Sequence, residues 1–182
     1  MVDLNLLFSL AIWVGSPFAV EDVASYILPL VLQVALGQRS HVTVFGDDYP
    51  TSDGSCIRDY IHVEDLADAH VRAVEQLRNG DQVQLNLGTG SGFSVKEVIN
   101  TCEKVTGKSI PFILGPRRSG DPPELIADSS KATSVLGWKP RRSDLRTIVS
   151  DAWRWHSTHP KGFDDRRRET SAVLGGEILQ PV

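Results

Sequence analysis

Cysteine is scarce in this sequence. Only Cys56 and Cys102 occur among 182 residues, far apart, with no Cys-x-x-Cys pair and no histidine at ligand spacing. That excludes a disulfide scaffold and gives no zinc pattern. Two reduced thiols suit a cytoplasmic protein. Positive charge is also in short supply: 19 Lys and Arg stand against 23 Asp and Glu, for a formal net charge of -4. A nucleic-acid binder concentrates cations on one face, so nucleic acid is not an expected partner. The one basic run, Arg166-Arg167-Arg168, follows Asp164 and Asp165 and reads as a solvated tail. No apolar run is long enough for a membrane span. Residues 4–20 are apolar but are broken by Gly15 and Pro17, and Asp3 gives the wrong charge for a signal peptide. Residues 1–24 therefore read as an extension foreign to the rest, with no role in a membrane.

What is present is an ordinary globular composition, 41% hydrophobic and 23% charged. The chain is long enough for one core. Spacing predicts a helix over 25–37, with Ile27, Leu30, Val31, Val34 and Ala35 on one stripe, Pro29 in its first turn and Gly37 as its stop. Residues 41–45 are rich in β-branched side chains and predict a strand; 46–54 read as a loop. An extended run at 57–63 leads into a helix at 64–78, with Leu66, Ala69, Ala73 and Leu77 inward and His70 and Val74 beside them. Alternation at 83–87 predicts a half-buried strand. Ser94 with Glu97 three residues on is a capping box, and it opens a helix that Gly107 ends. A strand at 110–114, a short helix at 128–136 and a last helix at 143–156 follow, the last with Leu145, Ile148, Val149, Ala152 and Trp155 inward. From residue 161 onward no periodicity remains, and disorder is expected over 161–182. The pattern is α/β without an internal repeat, and it offers few strands to flank the one at 83–87.

Three segments bear on chemistry. Gly88-Thr89-Gly90-Ser91-Gly92 joins a predicted strand to a helix, where free N–H groups can cradle phosphate. Its glycine spacing is wrong for a dinucleotide fingerprint, so a structural turn is the preferred reading. In Arg58-Asp59-Tyr60-Ile61-His62-Val63, Arg58 and Tyr60 share a face because alternate side chains of an extended run point the same way. An arginine fork there is able to grip a diphosphate; pairing with a nearby Asp is the competing reading. In Pro116-Arg117-Arg118-Ser119-Gly120-Asp121, Arg118 is a second candidate for phosphate and Asp121 a candidate acceptor for ribose hydroxyls, although adjacent loop arginines are often only solvated.

Taken together and in order, these segments resemble the C-terminal half of UDP-glucose 4-epimerases, members of the extended short-chain dehydrogenase family. The resemblance runs from Tyr26-Ile27-Leu28-Pro29, through Phe45-Gly46-Asp47-Asp48-Tyr49-Pro50-Thr51 and the two arginine motifs, to Leu136-Gly137-Trp138 and Trp153-Arg154-Trp155-His156. It implies an α/β, nucleotide-sugar-binding C-terminal domain over 25–160, with UDP-glucose or UDP-galactose as ligand. It further implies that Thr43 and Phe45 line the uracil pocket, that Arg58 and Arg118 contact the diphosphate with Tyr60 alongside, and that Asp121 holds the ribose. Val95 is expected to pack near the nucleotide sugar, and Leu125 to lie near the hexose and influence which sugars fit. Tyr26 departs from the amide or imidazole usual at its position.

The resemblance also implies what the 182 residues do not carry. Epimerisation in this family uses a tightly bound NAD, a glycine-rich NAD site and a Tyr-x-x-x-Lys pair. The three tyrosines, Tyr26, Tyr49 and Tyr60, are followed four residues on by Leu30, Asp53 and Glu64. With neither the pair nor the glycine motif, the chain alone is expected to hold no NAD, to be inactive, and to lack most of the family's dimer interface. Two other readings stay open at this point: a non-catalytic nucleotide-sugar-binding module, and part of another UDP-sugar epimerase or dehydratase.

Overall fold

A computed structural model describes residues 26–77, 83–160 and 162. The expectations for 1–24 and, apart from Gly162, for 161–182 lie outside the described residues. The elements in chain order are α1 (Ile27–Ala35), β1 (Val42–Phe45), β2 (Ile57–Arg58), α2 (Val63–Gln76), β3 (Phe93–Ser94), α3 (Val95–Thr106), β4 (Phe112–Gly115), β5 (Glu124–Leu125), α4 (Ser130–Leu136) and α5 (Leu145–Thr158).

The main core gathers α1, β1, α3 and α5. Leu28, Val31 and Leu32 of α1 meet Val98, Ile99 and Cys102 of α3 and Ile148 and Val149 of α5. Val42 and Val44 reach the same core from β1, at 3% and 1% exposure. Because a strand alternates, Thr43 and Phe45 must face the other way. Pro29 sits in the first turn of α1, where its missing N–H has no partner to lose. The α3 capping box forms as the sequence predicts. Ser94 Oγ accepts from Glu97 N–H at 3.0 Å. In return, Glu97 Oε2 accepts from Ser94 N–H at 2.7 Å.

A second core of Ile61, Ala69, Ala132, Leu136 and Trp138 lies between α2 and α4. The Trp138 indole N–H donates to the Asp65 carbonyl at 2.8 Å, and the Asp65 carboxylate accepts from the backbone N–H groups of Arg141 and Arg142, both at 2.9 Å. Leu66, Ala73 and Leu77 pack against this core as the spacing predicts. Val74 does not, being 83% exposed. Five residues along a helix from Ala69 turn it toward the opposite side. Trp155 of α5 is half-buried and stands outside both cores, its ring stacked on His159.

The strands form two small sheets. β1 pairs in parallel with β4, and β2 lies between antiparallel β3 and parallel β5. β3 and β5 are two residues each, too short to leave a period-two signal. Residues 83–87 keep the predicted alternation of half-buried and exposed side chains, but they form no ladder. Alternation reports a covered face; a strand also needs a neighbour to hydrogen-bond, and no described strand lies beside it.

Candidate functional site

The two sheets and the loops that leave them enclose a cavity of about 330 Å³. Thr43 and Phe45 enter it from β1, Arg58 from β2, Tyr60 from just after β2, Val95 from the first turn of α3, and Arg118 and Asp121 from the loop after β4. Seven of the eight residues singled out in the sequence thus line one space. The eighth, Leu125, is outside the lining; it is the register partner of Arg58 across β5 and is half exposed.

Alternation explains the lining on both strands. Cys56, Arg58 and Tyr60 face the cavity, while Asp59 and Ile61 turn away into buried sites. On β1 the row extends backward from Phe45 and Thr43 to His41, and Arg39 follows. The lead-in residues Arg39 and His41 went unrecognised in the sequence, as did Cys56; carrying period two outward from the chosen residues would have found His41 and Cys56. Ile27 and Leu30 pack against the main core, as helical spacing predicts, and also line the cavity.

Electrostatics separates the adjacent arginines. Arg117 turns to Asp48, with Nε 2.6 Å from the carboxylate, and stacks over Tyr49. Arg118 turns inward, its guanidinium carbon 4.1 Å from the centre of the Phe45 ring. Arg58 pairs with Asp121 across the cavity, their side chains 16% and 23% exposed. Three guanidiniums (Arg39, Arg58 and Arg118) against one carboxylate (Asp121) leave the lining net positive by two charges with histidine neutral. A nucleoside diphosphate sugar carries a matching negative pair.

The other polar groups in the lining are not set up as bases or nucleophiles. Burial pushes the Tyr60 phenol well above its ordinary value, and its buried hydroxyl has no hydrogen-bond partner among the described residues. Burial also raises the Cys56 thiol, against the opposing charge of Arg58, so it stays protonated near neutral pH. Among the described residues no cluster of His, Cys, Asp and Glu is placed to hold a metal, and no helix is long and apolar enough to cross a membrane.

The glycine-rich turn serves a different purpose from phosphate binding. The buried Asp59 carboxylate accepts from Thr89 N–H at 2.9 Å, Thr89 Oγ1–H at 2.7 Å, Gly90 N–H at 3.1 Å and Ala127 N–H at 3.3 Å. A Cβ on Gly88 would stand 2.5 Å from that carboxylate, which accounts for glycine there. Donors already committed to Asp59 do not fit a dinucleotide pyrophosphate. The turn is therefore a brace, as its glycine spacing favoured.

Known proteins resemble this chain over most of its length. A family model described as GDP-mannose 4,6 dehydratase matches residues 14–151. The chain is 58% identical over 146 residues to UDP-glucose 4-epimerase of Halalkalibacterium halodurans, covering 80% of this chain and 44% of that protein. It is 56% identical over 147 residues to that of Streptomyces lividans, covering 81% and 44%. Among solved structures, UDP-glucose 4-epimerase of Bifidobacterium longum in complex with NAD+ and UDP superposes with a TM-score of 0.71 at 43% identity, covering 75% of this chain and 41% of that one. The Stenotrophomonas maltophila enzyme with bound NAD and formylated UDP-arabinopyranose gives 0.70 at 48% identity, covering 75% and 41%. The chain thus spans less than half the length of the relatives it matches. It belongs to the family that this model describes, and corresponds to the C-terminal half of the UDP-glucose 4-epimerases it resembles.

Proposed function

We propose that this chain is the UDP-sugar-binding portion of a UDP-glucose 4-epimerase, serving the interconversion of UDP-glucose and UDP-galactose in the cytoplasm. The observation that carries the reading is that Arg58 and Arg118, from segments far apart in sequence, line one cavity beside Phe45. The uracil lies along Thr43 and Phe45, and the diphosphate between the two guanidiniums. The ribose hydroxyls donate to Asp121, which releases Arg58 to the phosphates as they enter. Tyr60 and Val95 pack against the nucleotide, and Leu125, beside Arg58 at the cavity edge, stands toward the hexose.

NAD supplies the hydride carrier for C4 epimerisation in such enzymes. The described residues do not fit it, because the turn able to offer N–H groups is occupied by Asp59. The sequence also has no tyrosine with a lysine four residues on. No hydride or proton step is assigned to these residues. The chain by itself binds UDP-sugar without turning it over.

Titration calorimetry with UDP and UDP-glucose tests the binding. Micromolar-range affinity is expected, falling about tenfold or more in Arg58→Ala and in Arg118→Ala, since each removes a charge-assisted contact. UDP affinity indifferent to both substitutions would sink the reading. Incubation with UDP-galactose and added NAD should give no UDP-glucose; turnover would overturn the inactivity.

A further inference from the structure

Tyr49 carries a polar group that no role above absorbs. The residue is 4% exposed, and its hydroxyl is buried with no hydrogen-bond partner among the described residues. Such a group has given up its hydration for nothing, and most buried hydroxyls find a partner. Packing holds the ring in place. Arg117 lies over it, with the guanidinium carbon 4.3 Å from the ring centre, and is itself held by Asp48. Gly46 crowds the ring edge, where a Cβ would stand 2.6 Å from Cε2. Arg117 and Asp121 belong to one turn, in which Asp121 N–H donates back to the Arg118 carbonyl at 3.3 Å. The cation stacked on Tyr49 and the carboxylate that holds Arg58 are therefore placed together. The field at the phenol agrees with that placement. Burial first, then the Asp121 and Cys56 charges, raise it above its ordinary value against Arg117 and Arg58, so it remains a neutral O–H. Asp121, Cys56 and Arg58 all line the cavity.

We infer that Tyr49 is a positioning residue for Asp121, its hydroxyl donating to that carboxylate once a diphosphate has drawn Arg58 away. The inference rests on the diphosphate reading of the cavity. In the empty cavity the Arg58 guanidinium satisfies Asp121. A phosphate oxygen competes for that guanidinium, and a half-buried carboxylate stripped of its partner is costly. A replacement donor lowers that cost. The Tyr49 hydroxyl is a donor that is already desolvated and already immobile, so pairing it adds little ordering cost. The same exchange accounts for the orphaned hydroxyl: it stands unpaired because its acceptor is still engaged elsewhere. A uridine ligand also brings ribose hydroxyls to Asp121. Inorganic pyrophosphate brings none, and depends on Tyr49 more.

The experiment is calorimetry of UDP and inorganic pyrophosphate against the 182-residue chain, Tyr49→Phe, Asp121→Asn and the double variant, with thermal unfolding of each without ligand. Tyr49→Phe keeps the ring under Arg117 and removes only the oxygen. The melting temperature of the empty Tyr49→Phe chain should be unchanged or higher, because the hydroxyl has no partner there. Its affinity for UDP should fall about threefold to tenfold, and for pyrophosphate by at least as much. In the Asp121→Asn background no charge is left behind, and Tyr49→Phe should then move either affinity by less than about twofold. Affinities unmoved by Tyr49→Phe, or an equal loss in both backgrounds, overturn the inference. So does a melting temperature that falls in step with affinity, which would make the hydroxyl a structural partner of the empty chain. Failure of the unsubstituted chain to bind either ligand is a separate result: it removes the diphosphate reading, and this inference with it.

Discussion

Arg118 lies over Phe45, its guanidinium carbon 4.1 Å from the ring centre, and the contact joins a loop cation to the strand that faces the cavity. The aromatic ring fixes where the charge sits; such contacts contribute about 0.5–2 kcal/mol, more when desolvated. Phe45→Leu keeps the apolar bulk and loses the ring's electron-rich face. UDP affinity should fall about threefold to tenfold with the melting temperature little changed, as measured by calorimetry and thermal unfolding.

Arg58 and Asp121 hold each other across the cavity, so Asp121 competes with an incoming phosphate for the same guanidinium. Asp121→Asn keeps the shape and removes the competing charge. Inorganic pyrophosphate should then bind about threefold to tenfold more tightly, while a uridine ligand, which loses its best hydroxyl acceptor, should gain less or bind more weakly. Parallel titrations with the two ligands measure the difference in response.

Asp59 is 1% exposed and accepts hydrogen bonds from two segments, the turn at Thr89 and Gly90 and the chain at Ala127. Asp59→Ala leaves those N–H groups facing a void. A loss of about 3 kcal/mol is expected, or roughly 10 °C in melting temperature for a chain of this size. Thermal unfolding followed by circular dichroism checks it.

Acid should weaken the fold in a definite window. Burial works to raise Asp53 above its ordinary value. Hydrogen bonds from Ser94 and from Ser55, together with the nearby Lys96 charge, outweigh it, so the folded value lies below 3.8. Asp151 behaves likewise: His62 donates to it at 3.1 Å, and Arg154 and Arg142 flank it. A depressed carboxylate contributes stability that is present above its unfolded value and is lost as pH falls through its folded value. Stability should therefore not depend on these two groups from pH 7 to about pH 5, then drop below about pH 4. In the Asp53→Asn variant the acid-side slope should be shallower, as followed by denaturant unfolding at a series of pH values.

Gly54 has φ +79° and no room for a side chain, since a Cβ would stand 2.0 Å from the Asp47 carbonyl oxygen. Its carbonyl also accepts the Tyr49 N–H at 3.0 Å, which closes the loop beside the cavity. Gly54→Ala should destabilise the chain by about 2 kcal/mol or more and weaken UDP binding, because a left-handed, crowded position is changed. Thermal melts and calorimetry together check both effects.

Helices were legible because their signals are local. The Ser94–Glu97 box, Pro29 in a first turn and Gly107 and Gly137 at helix ends each act within a few residues of where they are read. Alternation on β1 accounts for Thr43 and Phe45 sharing a face, and the two arginine motifs gave Arg58 and Arg118. What could not be read was pairing across distance. β3 and β5 are two residues long and exist only because β2 lies between them. The fate of Asp59 depends on a turn thirty residues away, and that of Leu125 on a register with Arg58 that leaves no mark in the sequence around it. His41 was within reach of β1's own alternation, two residues before Thr43, whereas Arg39 lies further out, where nothing local marks it as facing the cavity.

The brace on the reverse of β2 has a practical outcome for selection experiments. Arg58 and Tyr60 look into the cavity while Asp59, between them, looks out the back and ties down two loops. A library screened for altered ligand preference will therefore recover hits at Thr89, Gly90 and Ala127 that never meet the small molecule, because slackening those ties lets the front of the strand drift. Such hits should be sorted by whether heating separates them from the parent before any is credited with chemical recognition.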